Sequence, residues 1–453
     1  MEPLKGKMQG TSRPGSVSTR LQGVARLSKD APEMVWTTLS HHIDLELLRE
    51  AYRLTRKDGA VGVDGQTASE YGKKLEDNLH DLLSRFKSGT YKAPPVRRSY
   101  VPKGDGTRVR PIGIPTFEDK VLQRAVSMVL ETVYEQDFLD CSYGFRPNRS
   151  AHQALDELWG GMMKMGGGYI LEMDIAKCFD MLDRGHLRNF LDKRVRDGVI
   201  RKAIDKWMKA GVFEEGSVKH PGTGTPQGGV ISPILMNIYL HEVLDKWFDR
   251  DVKPRLSEEA HLIRYADDAV FVFYSKSDAD RVVSVLPKRF GRYALMLHPE
   301  KTRLIKFTRP GTGGKGSKFY PGSFDFLGFT HFWGRARNGK WVVKRKTAKD
   351  RFGRALKRIA LWCRKHRHLS VKEQHAILAR KLRGHSQYYY IRGNSASVSR
   401  FYHEVRAIWR KWLNRRSQRS RMNWMRFTRL RERYPFPTPR IGHSMYSRSE
   451  ATV

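Results

Sequence analysis

Apolar positions along the chain follow two periods, and the alternation between them divides it. Over residues 33–56, Ile43, Leu47, Ala51 and Leu54 recur near 3.6-residue spacing, which predicts a helix. Residues 71–86 repeat the pattern with Leu75, Leu79, Leu82 and Leu83 on one face, and residues 117–138, 234–248, 278–293 and the stretch from His152 read the same way. Between them lie short runs rich in β-branched and aromatic residues: 99–102, 108–112, 169–174, 261–266, 269–274 and 324–333. Such runs, bounded by turn residues, predict strands. The last quarter returns to helical spacing, with one stripe of Phe352, Leu356, Ile359 and Cys363 and another of Phe401, Val405, Ile408, Trp409 and Trp412. Residues 1 to about 30 read as flexible or dependent on a partner. The predicted class is α+β with a helical C-terminal part.

Two of the strands are joined at Asp267-Asp268. On a straight strand these neighbours point to opposite faces, so they serve one site only at the tip of a tight hairpin. Adjacent carboxylates repel and are costly to desolvate, which suggests a cation between them, and oxygen ligands favour a hard ion such as Mg²⁺. Taken alone, the pair reads more readily as a turn between surface strands; an acid upstream changes that. A second acid, Asp174, ends the strand 169–174. Should these strands pair, three carboxylates share one pocket. A two-metal phosphoryl-transfer centre needs such a pocket, with cations roughly 3.5–4 Å apart. Upstream, Lys103, Arg108 and Arg110 ride on a hairpin, either simply solvated or clamping a triphosphate. Residues 222–233 form a Gly/Pro-rich loop entering a helix: a flexible connector, or a place where Gly228 lets a template or nucleotide approach the backbone.

At 453 residues, the chain has room for two or three domains. Lys and Arg outnumber Asp and Glu by 85 to 47, a net charge of +38. Residues 335–453 hold 33 of those cations and only 5 of the acids. An excess of that size points to a polyanion, nucleic acid before membrane. At 11% aromatic residues, the chain does not read as a disordered basic tail. The candidate nucleic-acid surface comprises Arg146, Arg345, Lys346, Arg410, Lys411, Arg415 and Arg416, with Gly228. Cys141, Cys178 and Cys363 are scattered, making neither a disulfide framework nor a zinc site, which suits a reducing compartment. Without an 18-residue apolar run or a leader pattern, a soluble, unexported protein without membrane partners is expected.

These pieces, in order from about residue 36 to 440, resemble the group II intron-encoded reverse transcriptase/maturase family. The matching blocks are Arg110-Pro111-Ile112-Gly113-Ile114-Pro115, Tyr143-Gly144-Phe145-Arg146-Pro147, Asp174 with Phe179-Asp180, Gly224-Thr225-Pro226-Gln227-Gly228, Tyr265-Ala266-Asp267-Asp268, Leu327-Gly328-Phe329 and Tyr388-Tyr389-Tyr390. The resemblance implies a right-hand polymerase: an N-terminal extension (1–35), fingers and palm (36–333), then a helical thumb and maturase region binding intron RNA (334–453). It further implies an RNA-directed DNA polymerase that uses dNTPs, a DNA primer and two Mg²⁺ ions, with Mn²⁺ as a substitute, and that assists splicing and retrohoming. Asp174 and Asp267 resemble the ligands of both metals, supported by Asp268 and the carbonyl of Ile175. Phe179 matches the aromatic that excludes a 2′-hydroxyl, Gln227 the residue contacting nucleotide and template, Lys103 and Arg110 the triphosphate clamp, and Lys301 a general acid for pyrophosphate. The family context implies a cytoplasmic, nucleoid-associated ribonucleoprotein, a dimer being one state it allows. Relatives often carry a nuclease domain after the thumb, and its absence before Val453 leads to the expectation that second-strand cleavage is lacking. A splicing-only maturase, or a related reverse transcriptase serving defence, repair or CRISPR adaptation, are the alternatives.

Overall fold

The structure, a computed structural model, describes residues 15–102, 109–176, 178–214, 217–219, 228–311, 322–417 and 421–439. Its N-terminal region is α1 (Gly15–Asp30), α2 (Leu45–Leu54), α3 (Ala68–Lys73), α4 (Leu75–Ser88), the hairpin β1 (Val96–Pro102) and β2 (Val109–Ile114), and α5 (Phe117–Tyr134). The flexibility expected of the first 30 residues is not borne out over α1. Val24 and Ser28 are buried, Trp36 Nε1 donates to Ser28 Oγ (3.0 Å), and the helix packs on α5. The helix predicted over 33–56 is shorter, starting where the Asp44 carboxylate accepts from the Leu47 amide (2.9 Å). Leu54, expected on its apolar face, is exposed. Residues 71–86 fall in two helices, separated at Lys74.

The centre contains α6 (Ala151–Met165), β3 (Tyr169–Asp174), α7 (Arg184–Asp192), α8 (Gly198–Lys209), β4 (Val212–Glu214), β5 (Ser217–Lys219), α9 (Ser232–Leu240), β6 (Ala260–Tyr265), β7 (Asp268–Phe273), α10 (Lys276–Gly291) and β8 (Arg303–Lys306). β6, β7, β3 and β8 lie side by side in that order, every pair antiparallel. Alternation along the strands feeds two cores. Leu171, Met173, Ala269, Phe271 and Phe273 share one with α5 and α9, whereas Ile170, Ile263, Val270 and Val272 share another with α6. With both faces covered, the strands read as nearly continuous apolar runs. A second sheet, in the order β2-β1-β4-β5, stands apart from the first.

A third sheet, β9 (Phe324–Phe326), β10 (Phe329–Arg335) and β11 (Trp341–Thr347), leads into α11 (Lys349–Lys365), α12 (Val371–Tyr389), α13 (Ser395–Leu413) and α14 (Trp424–Arg433). The boundary expected at 333/334 cuts β10, which pairs with β11 through Arg335↔Trp341, so the break in structure comes at α11. Both helical stripes enter a third core around Trp409. Tyr388 fastens that region to the centre: its hydroxyl donates to Leu327 O (2.7 Å), and its carbonyl lies 2.9 Å from His152 Nε2. Among the described residues no helix is long and apolar enough to cross a membrane. The fold is α+β.

Candidate active site

β6 and β7 are joined by only two residues, Ala266 and Asp267, with Tyr265 opposite Asp268. Ala266 has φ +59° and Asp267 does not turn positive, so the chain reverses at the first central position alone, as in tight hairpins. That reversal frees Asp267 from the strand alternation that would separate it from Asp268. On the other side β7 pairs with β3 and sets Asp174 directly opposite Asp268. Residues opposite each other in an antiparallel pair project to the same face. Three acids therefore stand at one end of one sheet, as the strand reading anticipated.

What holds the hairpin was missed. Arg264 is fully buried within β6, and its guanidinium donates five hydrogen bonds: two to Asp245 (2.7 and 2.6 Å), and one each to Asn237 Oδ1 (3.0 Å), Ser142 Oγ (2.7 Å) and the carbonyl of Ala266 (3.0 Å). All five donors of the fork are satisfied. Asp245 reaches it from the widened π-helical turn His241–Asp245 that follows α9. Burial alone would push its carboxyl up, but the arginine outweighs this and holds it below the usual range. Gly144 supports the tip from outside, since a Cβ there would overlap the backbone of Tyr265 and Ala266. The available signal was an arginine inside an otherwise apolar strand, where burial requires a partner.

The electrostatics are those of a crowded anionic site. Burial pushes the Asp268 carboxyl up to about 6, and repulsion by Asp267 and Asp174 adds to it, against Arg351 and Lys301. Asp267 is also raised, by burial first and then by Asp174, while its own backbone amide, Arg110 and Lys301 act the other way. Asp268 keeps an open flank, so its charge is screened on one side although protein crowds the others. Lys301 Nζ lies 2.6 Å from Asp174 Oδ2. Among the described residues, no three His, Cys, Asp or Glu side chains converge as a ready-made ligand set. Asp174 is instead engaged by Lys301, and register, not chelation, brings the acids together. Anionic oxygens held close at a cost are nonetheless the kind of donor that hard divalent cations take.

Of the other expected site residues, Ile175 is buried and bridged to Leu297, which fixes the backbone just beyond Asp174. Arg110 is exposed on β2. Lys103, Arg108 and Gln227 lie outside the described residues, as does the side chain of Phe179, whose backbone forms the turn Cys178–Met181. Two arginines do not belong to a nucleic-acid surface. Arg146 is buried, its guanidinium bonded to Glu135 and to the carbonyls of Phe138, Leu139 and Ser142. Arg345 is buried too, 3.2 Å from Asp156. Gly228, at φ +120°, has the backbone of Gly113 on its Cβ side, so the close approach it permits is by the chain's own strand β2. Lys346, Lys411, Arg415 and Arg416 are exposed. Arg410 is half-buried, its guanidinium 4.2 Å over the Trp424 ring.

A carboxylate-tipped hairpin beside an acid-ended strand, in a small antiparallel sheet backed by helices, is consistent with the palm sheet of a polymerase. The model for the family described as reverse transcriptase (RNA-dependent DNA polymerase) matches residues 101–331, and the chain belongs to that family. It is similar to the group II intron-encoded protein LtrA of Lactococcus lactis subsp. cremoris, 36% identical over 251 residues that cover 53% of this chain and 41% of that protein. It is also similar to protein YkfC of Escherichia coli (strain K12), 37% identical over 203 residues, covering 44% of this chain and 53% of that one. A third relative is an uncharacterized 91 kDa protein in the cob intron of Schizosaccharomyces pombe, 30% identical over 272 residues, 57% of this chain and 33% of the relative. The chain thus matches between a third and about half of the length of these relatives.

Proposed function

We propose that the protein is an RNA-directed DNA polymerase that also binds intron RNA and assists splicing and retrohoming. The observation that carries this reading is the shared rung of Asp174 and Asp268, with Asp267 at the adjoining tip. Asp174 and Asp267 would hold two Mg²⁺ ions, Mn²⁺ serving as a substitute, with Asp268 and the Ile175 carbonyl in support. When bound, the ions supply a more acidic primer 3′-hydroxyl and charge neutralisation at the leaving pyrophosphate. The chain's own residues do the positioning. Arg110, exposed on β2 and attracted to Asp267, suits the triphosphate of an incoming dNTP, and Lys103 is proposed to share that role. Phe179, in the turn after Asp174, is proposed to reject a 2′-hydroxyl, and Gln227 to contact the nucleotide and the template. Lys301, paired with Asp174, is proposed to donate a proton to pyrophosphate once substrate is bound. Residues 36–333 would act as fingers and palm and the later helices as a thumb, with Lys346, Lys411, Arg415 and Arg416 facing RNA. Single proteins and dimers are both compatible with this arrangement.

Primer extension on an RNA template with Mg²⁺ and dNTPs tests the reading, comparing wild type with Asp267→Ala/Asp268→Ala. Full-length cDNA from wild type alone is expected, with RNA affinity nearly equal in both. cDNA from the double variant would refute the site. No product from either protein, with tight RNA binding retained, would favour a splicing role alone.

A further inference from the structure

We propose that Phe145 is a stacking contact for the nucleic-acid strand that adjoins the three carboxylates, its ring taking the face of one base. The proposal rests on the polymerase reading and adds a substrate-contacting residue to it. Phe145 has φ +57°, a conformation that side-chain-bearing residues rarely adopt, and its residue surface is 54% exposed. The first property costs conformational energy, and the second returns almost none by burial. For the fold alone, glycine would serve better on both counts.

The loop is nevertheless held firmly. The Tyr143 amide donates to Arg264 O (2.8 Å), Asn237 Nδ2 donates to Gly144 O (2.8 Å), and Arg146 bonds three carbonyls and the Glu135 carboxylate. These contacts present the ring in one place, as a preorganised contact requires. Its place follows from the sheet. Residues 141–143 run alongside β6, the outermost strand, with Ser142 bridged in parallel to Arg264, and Gly144 abuts Tyr265 and Ala266. Phe145 therefore stands beside the hairpin tip, across it from β3, β8 and Lys301. Its sequence neighbours Arg146, Pro147 and Asn148 offer no apolar patch around it, and a lone exposed ring takes a single flat ligand. In a chain of net charge +38, that ligand is a nucleobase.

The test uses the full chain as wild type, Phe145→Gly and Phe145→Trp, with an RNA-template/DNA-primer duplex and no dNTPs. 2-Aminopurine is placed in turn at the last two primer positions and at the template positions opposite. Phe145→Gly should melt no lower than wild type, bind about tenfold more weakly, and lose the fluorescence quenching at one position. Phe145→Trp should keep both affinity and quenching. A glycine variant that binds and quenches like wild type overturns the proposal. So does one that melts several degrees lower, because the ring is then structural. Primer extension by wild type is scored separately: failure there with binding lost in Phe145→Gly removes the polymerase reading and leaves the stacking contact standing.

Discussion

Replacing Arg264 by Met should both unfold and uncouple the protein, and the two effects can be separated. The arginine and Asp245 are fully buried, so truncation leaves a carboxylate in the core with only the His241 ring, 3.8 Å away, beside it. Removing one member of such a pair costs about 3–5 kcal/mol. Asn237, Ser142 and the Ala266 carbonyl each lose a donor as well, and a buried acceptor left unsatisfied costs about 1–3 kcal/mol. Arg264→Lys retains the charge but not the planar fork, and falls between. Asp245→Leu added to Arg264→Met removes the stranded charge and should recover most of the stability, because apolar replacement of a buried pair is often near neutral. It cannot restore the bond to Ala266 O, which fixes the tip. Urea unfolding should therefore show a large loss in the single variant and a partial return in the double, while primer extension stays low in both. A single variant that loses less than about 1 kcal/mol, or a double variant that extends primers like wild type, would refute the reasoning.

Two further outcomes follow from the charges at the tip. Asp268 has a folded value of about 6 against 3.8 when unfolded, so the native state binds the extra proton, and stability falls as pH rises from about 4 through 6. The shift caps the cost of the ionised form at about 3 kcal/mol, and the open flank reduces it to on the order of 1. Asp268→Asn with EDTA should therefore melt higher than wild type near pH 8, with the gap shrinking as the pH falls toward 4, and a gap that stays constant would point to another cause. Lys301→Met removes the charge that engages Asp174. The midpoint of a calorimetric Mg²⁺ titration should then fall by up to about fivefold, in line with an exposed ion pair. A higher Mg²⁺ requirement would mean that the lysine helps to hold the ion.

The catalytic sheet was legible because its strands carry uninterrupted β-branched and aromatic runs, and because acids at the ends of two such runs constrain how they pair. Asp174 opposite Asp268 is that pairing. The arginines were not legible. Arg146 and Arg345 look like surface cations until Glu135 and Asp156 are brought beside them, and Asp156 is 189 residues from Arg345. The N-terminal helix was overlooked because its apolar side is small: Val24 and Ser28 reach the core while Leu27 stays exposed. Leu54 fits the helical period yet is the last residue of α2 and stands exposed, beside a buried Thr55. The break expected at residue 333 came from the family resemblance, but hydrogen bonding carries β10 two residues further.

The rung shared by Asp174 and Asp268 couples the proposed chemistry to folding. A slip of β3 by one residue along β7 would part the two acids, and it would also exchange Ile170 and Leu171 between the two cores, each of which is packed around the other side chain. The apolar alternation that makes the sheet fold is thus the same ruler that sets the spacing of the chemistry. A misregistered chain would lose its close packing together with the meeting of the acids, because one register sets both.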